Sequence, residues 1–225
     1  VGRGDRVLLY MPMVPEAVFT MLACARIGAV HSVVFGGFAS VNLAQRIDDA
    51  APKVVVCTDG GSRGGKVVPY KPLLDRALAL CKTPPASVVV FDRGLAPFEP
   101  VAGRDLDYAT LRAAQRGARV PVAWLESSEP SYILYTSGTT GKPKGVQRDT
   151  GGYAVALASS MEYLFNGKAG DTFFCTSDIG WVVGHSYIVY GPLLAGCTTI
   201  LYEGKPVGTP DAGAFWRVCA QHGVK

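Results

Sequence analysis

The sequence has little that would support metal, disulfide or nucleophile-based chemistry. Its six cysteines, Cys24, Cys57, Cys81, Cys175, Cys197 and Cys219, are scattered and never form a C-x-x-C pair. That spacing argues against zinc sites and disulfide frameworks and points to a reducing compartment. Only three histidines occur. His31 and His222 carry no recognisable signal, and His185 has no acidic or nucleophilic partner at a useful spacing, so it reads as structural. No unbroken apolar run reaches membrane length, since the richest, 181–196, contains His185, Pro192 and glycines. There is no signal-peptide pattern. Basic tracts interleaved with aromatics are missing, which argues against nucleic acid. No G-x-G-x-x-G follows a strand, which argues against a dinucleotide-dependent oxidoreductase. Internal repeats and low-complexity tracts are absent too.

What is present is an alternating chain with globular composition. At 225 residues, with 48% hydrophobic and 18% charged residues, it has enough apolar material for one large or two small domains. The net charge of +4 is compatible with a small anionic ligand. Apolar, β-favouring runs at 7–11, 31–35, 53–58, 87–91, 132–135, 172–176 and 198–202 read as strands. Between them, helical periodicity predicts helices from about Val14 to Gly28, over 40–50, 71–82, 150–165 and 210–222, and from about His185. The first carries Val18, Met21, Leu22 and Ala25 as its apolar stripe, the second Leu43, Ala44 and Ile47. Strands alternating with amphipathic helices predict an α/β fold, a parallel sheet covered on both faces. Residues 92–130 read as a looser connector with a short helical signal near 108–115. Val1 in place of Met, and an end at Lys225 where another strand is due, lead to the expectation of a longer protein.

One stretch carries most of the chemistry. After Tyr132-Ile133-Leu134-Tyr135 the chain breaks into Thr136-Ser137-Gly138-Thr139-Thr140-Gly141-Lys142-Pro143-Lys144-Gly145. Glycines allow close backbone approach, while hydroxyls, amide N–H groups and two lysines suit phosphate oxygens. It is not a Walker loop: counting from Gly138 puts Pro143 where glycine is required, and the residues after Gly145 predict a return to extended chain rather than a helix. A second glycine-rich stretch, Gly60-Gly61-Ser62-Arg63-Gly64-Gly65-Lys66, follows a strand and reads either as a phosphate grip or as a mobile surface loop. Phe35-Gly36-Gly37-Phe38 reads as a tight turn over aromatics. Trp181-Val182-Val183 reads either as an apolar pocket wall or, more simply, as ordinary core packing.

The string YILYTSGTTGKPKG resembles the phosphate-binding signature of acyl-adenylate-forming enzymes. Together with HSVVFGGF, SRGGKVVPYKPLLDRAL, GARVPVAWLES and SDIGWVVGHSYIVYGPLLAG, it resembles the propionyl-CoA synthetase branch beside acetyl-CoA synthetase, over nearly the whole chain. The resemblance implies part of a large AMP-binding N-terminal domain: an α/β subdomain over 1–91, a connector over 92–130, and the phosphate loop with a second α/β segment over 131–225. It implies ATP with Mg2+, a short-chain acid and coenzyme A as small-molecule substrates. Thr136, Ser137, Gly138, Thr139, Thr140, Gly141, Lys142 and Lys144 would hold the ATP phosphates. Phe35, Gly36, Gly37, Arg63, Gly64, Gly65, Lys66, Val183 and Val207 would contact CoA, and Trp181 and Val182 would line the acyl pocket. Acetyl-directed relatives usually carry threonine at the position of Val183. The family's adenylation lysine would lie outside this chain, as would its adenine-binding segment and ribose-binding aspartate. A cytoplasmic setting is implied, or the mitochondrial matrix in a eukaryote. A nucleotide- or CoA-binding module without catalysis and an acetyl-CoA synthetase are the rival expectations.

Overall fold

Val7-Leu8-Leu9-Tyr10 is apolar at every position because both faces of the strand it forms are covered. A computed structural model describes residues 1–136, 143–204 and 210–225. In chain order it shows β1 (Arg6–Tyr10), α1 (Pro15–Ile27), β2 (Val30–Val33), α2 (Ser40–Ala50) and β3 (Val54–Thr58). A hairpin of β4 (Gly60–Arg63) and β5 (Lys66–Pro69) follows, then α3 (Tyr70–Leu80), β6 (Ser87–Phe91), β7 (Asp105–Asp107) and α4 (Tyr108–Ala114). The remainder is β8 (Pro130–Thr136), β9 (Lys144–Asp149), α5 (Thr150–Tyr163), β10 (Thr172–Phe173) and α6 (Val182–Gly184). A π-helical segment, His185–Tyr190, leads to α7 (Gly191–Leu194), β11 (Thr198–Thr199) and α8 (Ala214–His222).

A seven-stranded sheet orders these strands β7-β6-β3-β1-β2-β8-β9. All neighbours are parallel except β8 and β9, which form an antiparallel hairpin. Val7 and Leu9 face one layer with Ala17 and Met21 of α1 and Ile188 and Val189 of the π-helical segment. Leu8 and Tyr10 face the other with Leu43 and Ile47 of α2 and Leu74 and Ala77 of α3. Helices thus cover both faces, and the chain reverses direction at β1, with β2 on one side and β3, β6 and β7 on the other. In such sheets, ligands sit outside the carboxyl ends of the strands at that reversal.

Several elements differ from their sequence signals. The buried stripe of α1 is Ala17, Met21 and Cys24, while Leu22 and Ala25 are exposed. Leu22 lies about 100° or more round the helix from each of the three buried residues. β7 carries no apolar signal because Asp105-Leu106-Asp107 is an edge strand. α8 begins at Ala214, later than the pattern suggests, and β10 and β11 shorten to two residues each. The helix around His185 comes in three pieces, and Pro192 lacks the N–H that an α-helix would offer the Ile188 carbonyl. The Thr199 hydroxyl donates to that carbonyl instead, at 2.6 Å.

A buried charge network closes the outer end of this sheet. Lys71 is fully buried and bonds Asp75 at 2.6 Å and Asp105 at 2.8 Å. Arg104 bridges the same two carboxylates. Burial pushes the Asp105 carboxyl up, but hydrogen bonds from Arg104 and Lys71 outweigh this and hold it at about 2.

Candidate active site

Five loops that leave carboxyl ends of strands meet around a cavity of ≈ 280 Å³. Pro12 and Met13 follow β1, Phe35 and Gly37 follow β2, and Ser62 and Arg63 belong to the hairpin after β3. From the small second sheet come Phe174 to Asp178, after β10, and Glu203, after β11. Trp181 and Tyr70 complete the wall.

The glycine-rich stretch at 60–66 forms an antiparallel hairpin rather than an irregular loop. Arg63 pairs with Lys66 across a two-residue turn, and the turn residues Gly64 and Gly65 have φ of 59° and 74°. Such a turn needs positive φ at both centres, which only glycine adopts freely. Asp59, fully buried, clamps the hairpin's base by accepting from the N–H groups of Arg93 at 2.9 Å, Leu95 at 2.6 Å and Ala96 at 3.0 Å. Burial raises its carboxyl, yet these bonds and the Thr58 hydroxyl outweigh burial and hold it below its ordinary value. Glu203 accepts from the Ser62 N–H at 3.0 Å and takes two bonds from the Arg93 guanidinium, at 2.7 and 2.6 Å. Arg93 and Glu203 therefore tie the hairpin to the strand end across the cavity.

Arg63 lies over the Phe35 ring, 4.9 Å from its centroid. Phe35 in turn meets Trp181 at 5.5 Å and Phe38 edge-on at 5.8 Å. The two glycines between the phenylalanines have specific reasons. A Cβ on Gly36 would fall 1.8 Å from the Tyr70 hydroxyl, and one on Gly37 would fall 2.4 Å from the Arg63 guanidinium. The chain therefore brings Phe35, Gly36, Gly37 and Arg63 together, as a shared site requires. Lys66 is exposed on the outer strand of the hairpin and does not line the cavity.

Trp181, Val182 and Val183 are 46%, 49% and 50% exposed, so the core-packing reading of this run does not hold. They open α6 on its solvent side, because buried Gly184 turns the other side inward: a Cβ there would meet the Asp178 carbonyl at 1.9 Å. Trp181 lines the cavity, whereas Val182 and Val183 stand beyond its wall. Asp178 faces the cavity and caps the turn by accepting the Gly180 N–H at 2.7 Å. Burial raises its carboxyl, offset in part by that bond and by the charge of Arg63.

The same turn is held from beneath by a histidine pair that no sequence spacing joins. His31 and His185 are both fully buried and stack with their Nε2 atoms 3.0 Å apart. His185 Nδ1 bonds the Ile179 carbonyl at 2.5 Å, which makes Nδ1 the protonated nitrogen and Nε2 an acceptor. His31 then donates from Nε2, and its buried Nδ1 has no partner among the described residues. Burial pushes His185 down to about 4, and burial with the neighbouring ring pushes His31 well below its ordinary value.

The chain matches the AMP-binding enzyme family over residues 1–225. It belongs to that family. Over 224 residues it is 66% identical to the propionate–CoA ligase of Salmonella typhimurium and 65% identical to that of Escherichia coli, covering all of this chain and 36% of each relative. It is 57% identical over 226 residues to mouse acyl-CoA synthetase short-chain family member 3, mitochondrial, of which it covers 33%. The chain thus spans about a third of the length of the curated relatives it matches.

In this AMP-binding family member, β8 and β9 flank the glycine-rich stretch that begins after Thr136. Thr136 at the end of β8 pairs with Lys144 at the start of β9, and both are exposed. The antiparallel return bears out the expectation of extended chain after Gly145. β8 is parallel to β2, so Thr136 and Lys144 lie at the same strand edge as the Phe35–Phe38 turn. Ser137, Gly138, Thr139, Thr140, Gly141 and Lys142 lie outside the described residues, as does Val207. No described group of three or more His, Cys, Asp or Glu side chains is arranged to hold a metal. Among the described residues no helix is long and apolar enough to cross a membrane.

Proposed function

We propose that the complete protein ligates a short-chain carboxylate, propionate in preference to acetate, to coenzyme A at the expense of ATP. In the first half-reaction a carboxylate oxygen attacks the α-phosphorus of MgATP, forming acyl-AMP as pyrophosphate leaves. In the second the CoA thiol, losing its proton, attacks the acyl carbonyl and AMP leaves. Neither step needs a protein nucleophile; positioning and stabilisation of phosphate charge are the protein's contribution. Thr136 to Lys142 and Lys144 hold the ATP phosphates, with Mg2+ arriving on the nucleotide. Phe35, Gly36, Gly37 and Arg63 to Lys66 receive CoA, beside Val183 and Val207, and Trp181 and Val182 border the acyl group.

The observation that carries this reading is the convergence of Arg63, the Phe35–Gly37 turn and Trp181 on one cavity at the strand edge from which the β8–β9 hairpin also projects. The names of the propionate–CoA ligases support the choice of acid. The test is the double variant Arg63→Ala/Lys66→Ala in the full-length protein. The KM for CoA should rise while acid-dependent ATP–pyrophosphate exchange survives. Loss of exchange at unchanged CoA dependence would contradict the assignment of this hairpin to CoA.

A further inference from the structure

Arg46 is a buried cation with no carboxylate to pair with among the described residues. It is 6% exposed, and the ion pairs of the described chain do not include it. Its one hydrogen bond among the described residues runs from Nη1 to the Asn42 carbonyl one turn back on α2, at 2.7 Å. Two aromatic rings take the place of a counter-ion: Phe38 at 4.1 Å and Tyr135 at 5.5 Å from the guanidinium carbon. A cation desolvated against ring faces is held by their quadrupoles, and the planar guanidinium suits this better than an ammonium.

The two rings belong to different parts of the site. Phe38 closes the Phe35–Phe38 turn and meets both Phe35, at 5.8 Å, and Trp181, at 6.3 Å. Tyr135 immediately precedes Thr136 at the tip of β8, and its hydroxyl is anchored to Asp49 of α2 at 2.7 Å. Trp181, Phe38, Arg46 and Tyr135 thus form one continuous chain of ring contacts from the cavity wall to the end of β8.

Resting on the function proposed above, we infer that Arg46 is a positioning residue that fixes the CoA-side turn and the phosphate-side hairpin relative to each other, so that the two substrates sense one brace. It touches neither substrate. Loosening it costs both binding steps together, because each ring loses the same partner.

The experiment uses the full-length enzyme and initial rates with ATP and CoA varied in turn. Arg46→Met should raise the KM for both ATP and CoA by about tenfold, the effect of losing one desolvated cation–ring contact at each ring, with kcat changed far less. Arg46→Lys keeps the charge without the planar face and should lie between the two. Phe38→Leu, on the CoA side, should raise the KM for ATP in the wild-type background and not in the Arg46→Met background. A merely structural role would lower the active fraction, reducing kcat at unchanged KM values, and would overturn the inference. A change confined to one substrate, or a Phe38→Leu effect that persists without Arg46, would overturn it as well while leaving the ligase reading intact. A wild-type enzyme that forms no acyl-CoA would overturn both.

Discussion

Acidification should weaken this protein well before its carboxylates titrate, through the buried histidine pair. His185 is held at about 4 by burial, although its Nδ1–H bond to the Ile179 carbonyl favours the protonated ring. Because the folded value lies below the ordinary 6.5, the unfolded chain takes up the proton first. The stability is therefore whole above about pH 6.5 and is lost progressively as pH falls towards 4. Between pH 6.5 and pH 5 the loss from His185 alone is about 2 kcal/mol at 1.36 kcal/mol per unit. His31, also depressed, adds in the same direction. His185→Gln keeps a donor for the Ile179 carbonyl and removes the titration. Urea unfolding of wild type and variant across pH 7.5 to 5 should give curves that converge as pH falls, by about 2 kcal/mol. Parallel curves would refute the burial argument, because a solvent-reached or charge-paired histidine would show no such difference.

Two further outcomes are expected. Lys71→Met should destabilise by about 3 kcal/mol, since it strips a partner from Asp105, whose side chain is 2% exposed; pairing it with Asp105→Asn should recover much of the loss, as read by urea midpoints. A loss below about 1 kcal/mol would show that Arg104 alone satisfies that carboxylate. Lys144→Ala and Gly141→Val should each cut acid-dependent pyrophosphate release strongly in the full-length enzyme, and wild-type release in both would dismiss the phosphate-loop assignment.

Much of the sheet was legible because its strands are buried on both faces and so read as unbroken apolar runs. Ser40–Ala50 and Ser87–Phe91 were readable to the residue, since their apolar patterning is unambiguous. What could not be read has physical causes. β7 is polar and lies at an edge, so its hydrogen bonds to β6, not its side chains, define it. The Gly64-Gly65 pair between Arg63 and Lys66 is itself a hairpin signature, and that cue was present though the stretch read as a loop. Nothing local marks Lys71 as buried, and its burial depends on Asp105, thirty-four positions away. His31 and His185 become a pair only when β2 and the π-helical segment are stacked. The exposure of Trp181 to Val183 depended on the inward turn of Gly184, which composition does not reveal.

The central claim, an AMP-forming ligase that prefers propionate, is tested most directly by product analysis with the full-length protein. Acetate, propionate and butyrate would be compared at saturating ATP and CoA, with acyl-CoA, AMP and ADP quantified together with kcat/KM. One AMP should appear for each acyl-CoA, with propionate favoured over acetate by roughly 10- to 200-fold, the worth of one buried methylene. Formation of ADP in place of AMP, no thioester, or an acetate kcat/KM equal to or above that for propionate would contradict the account.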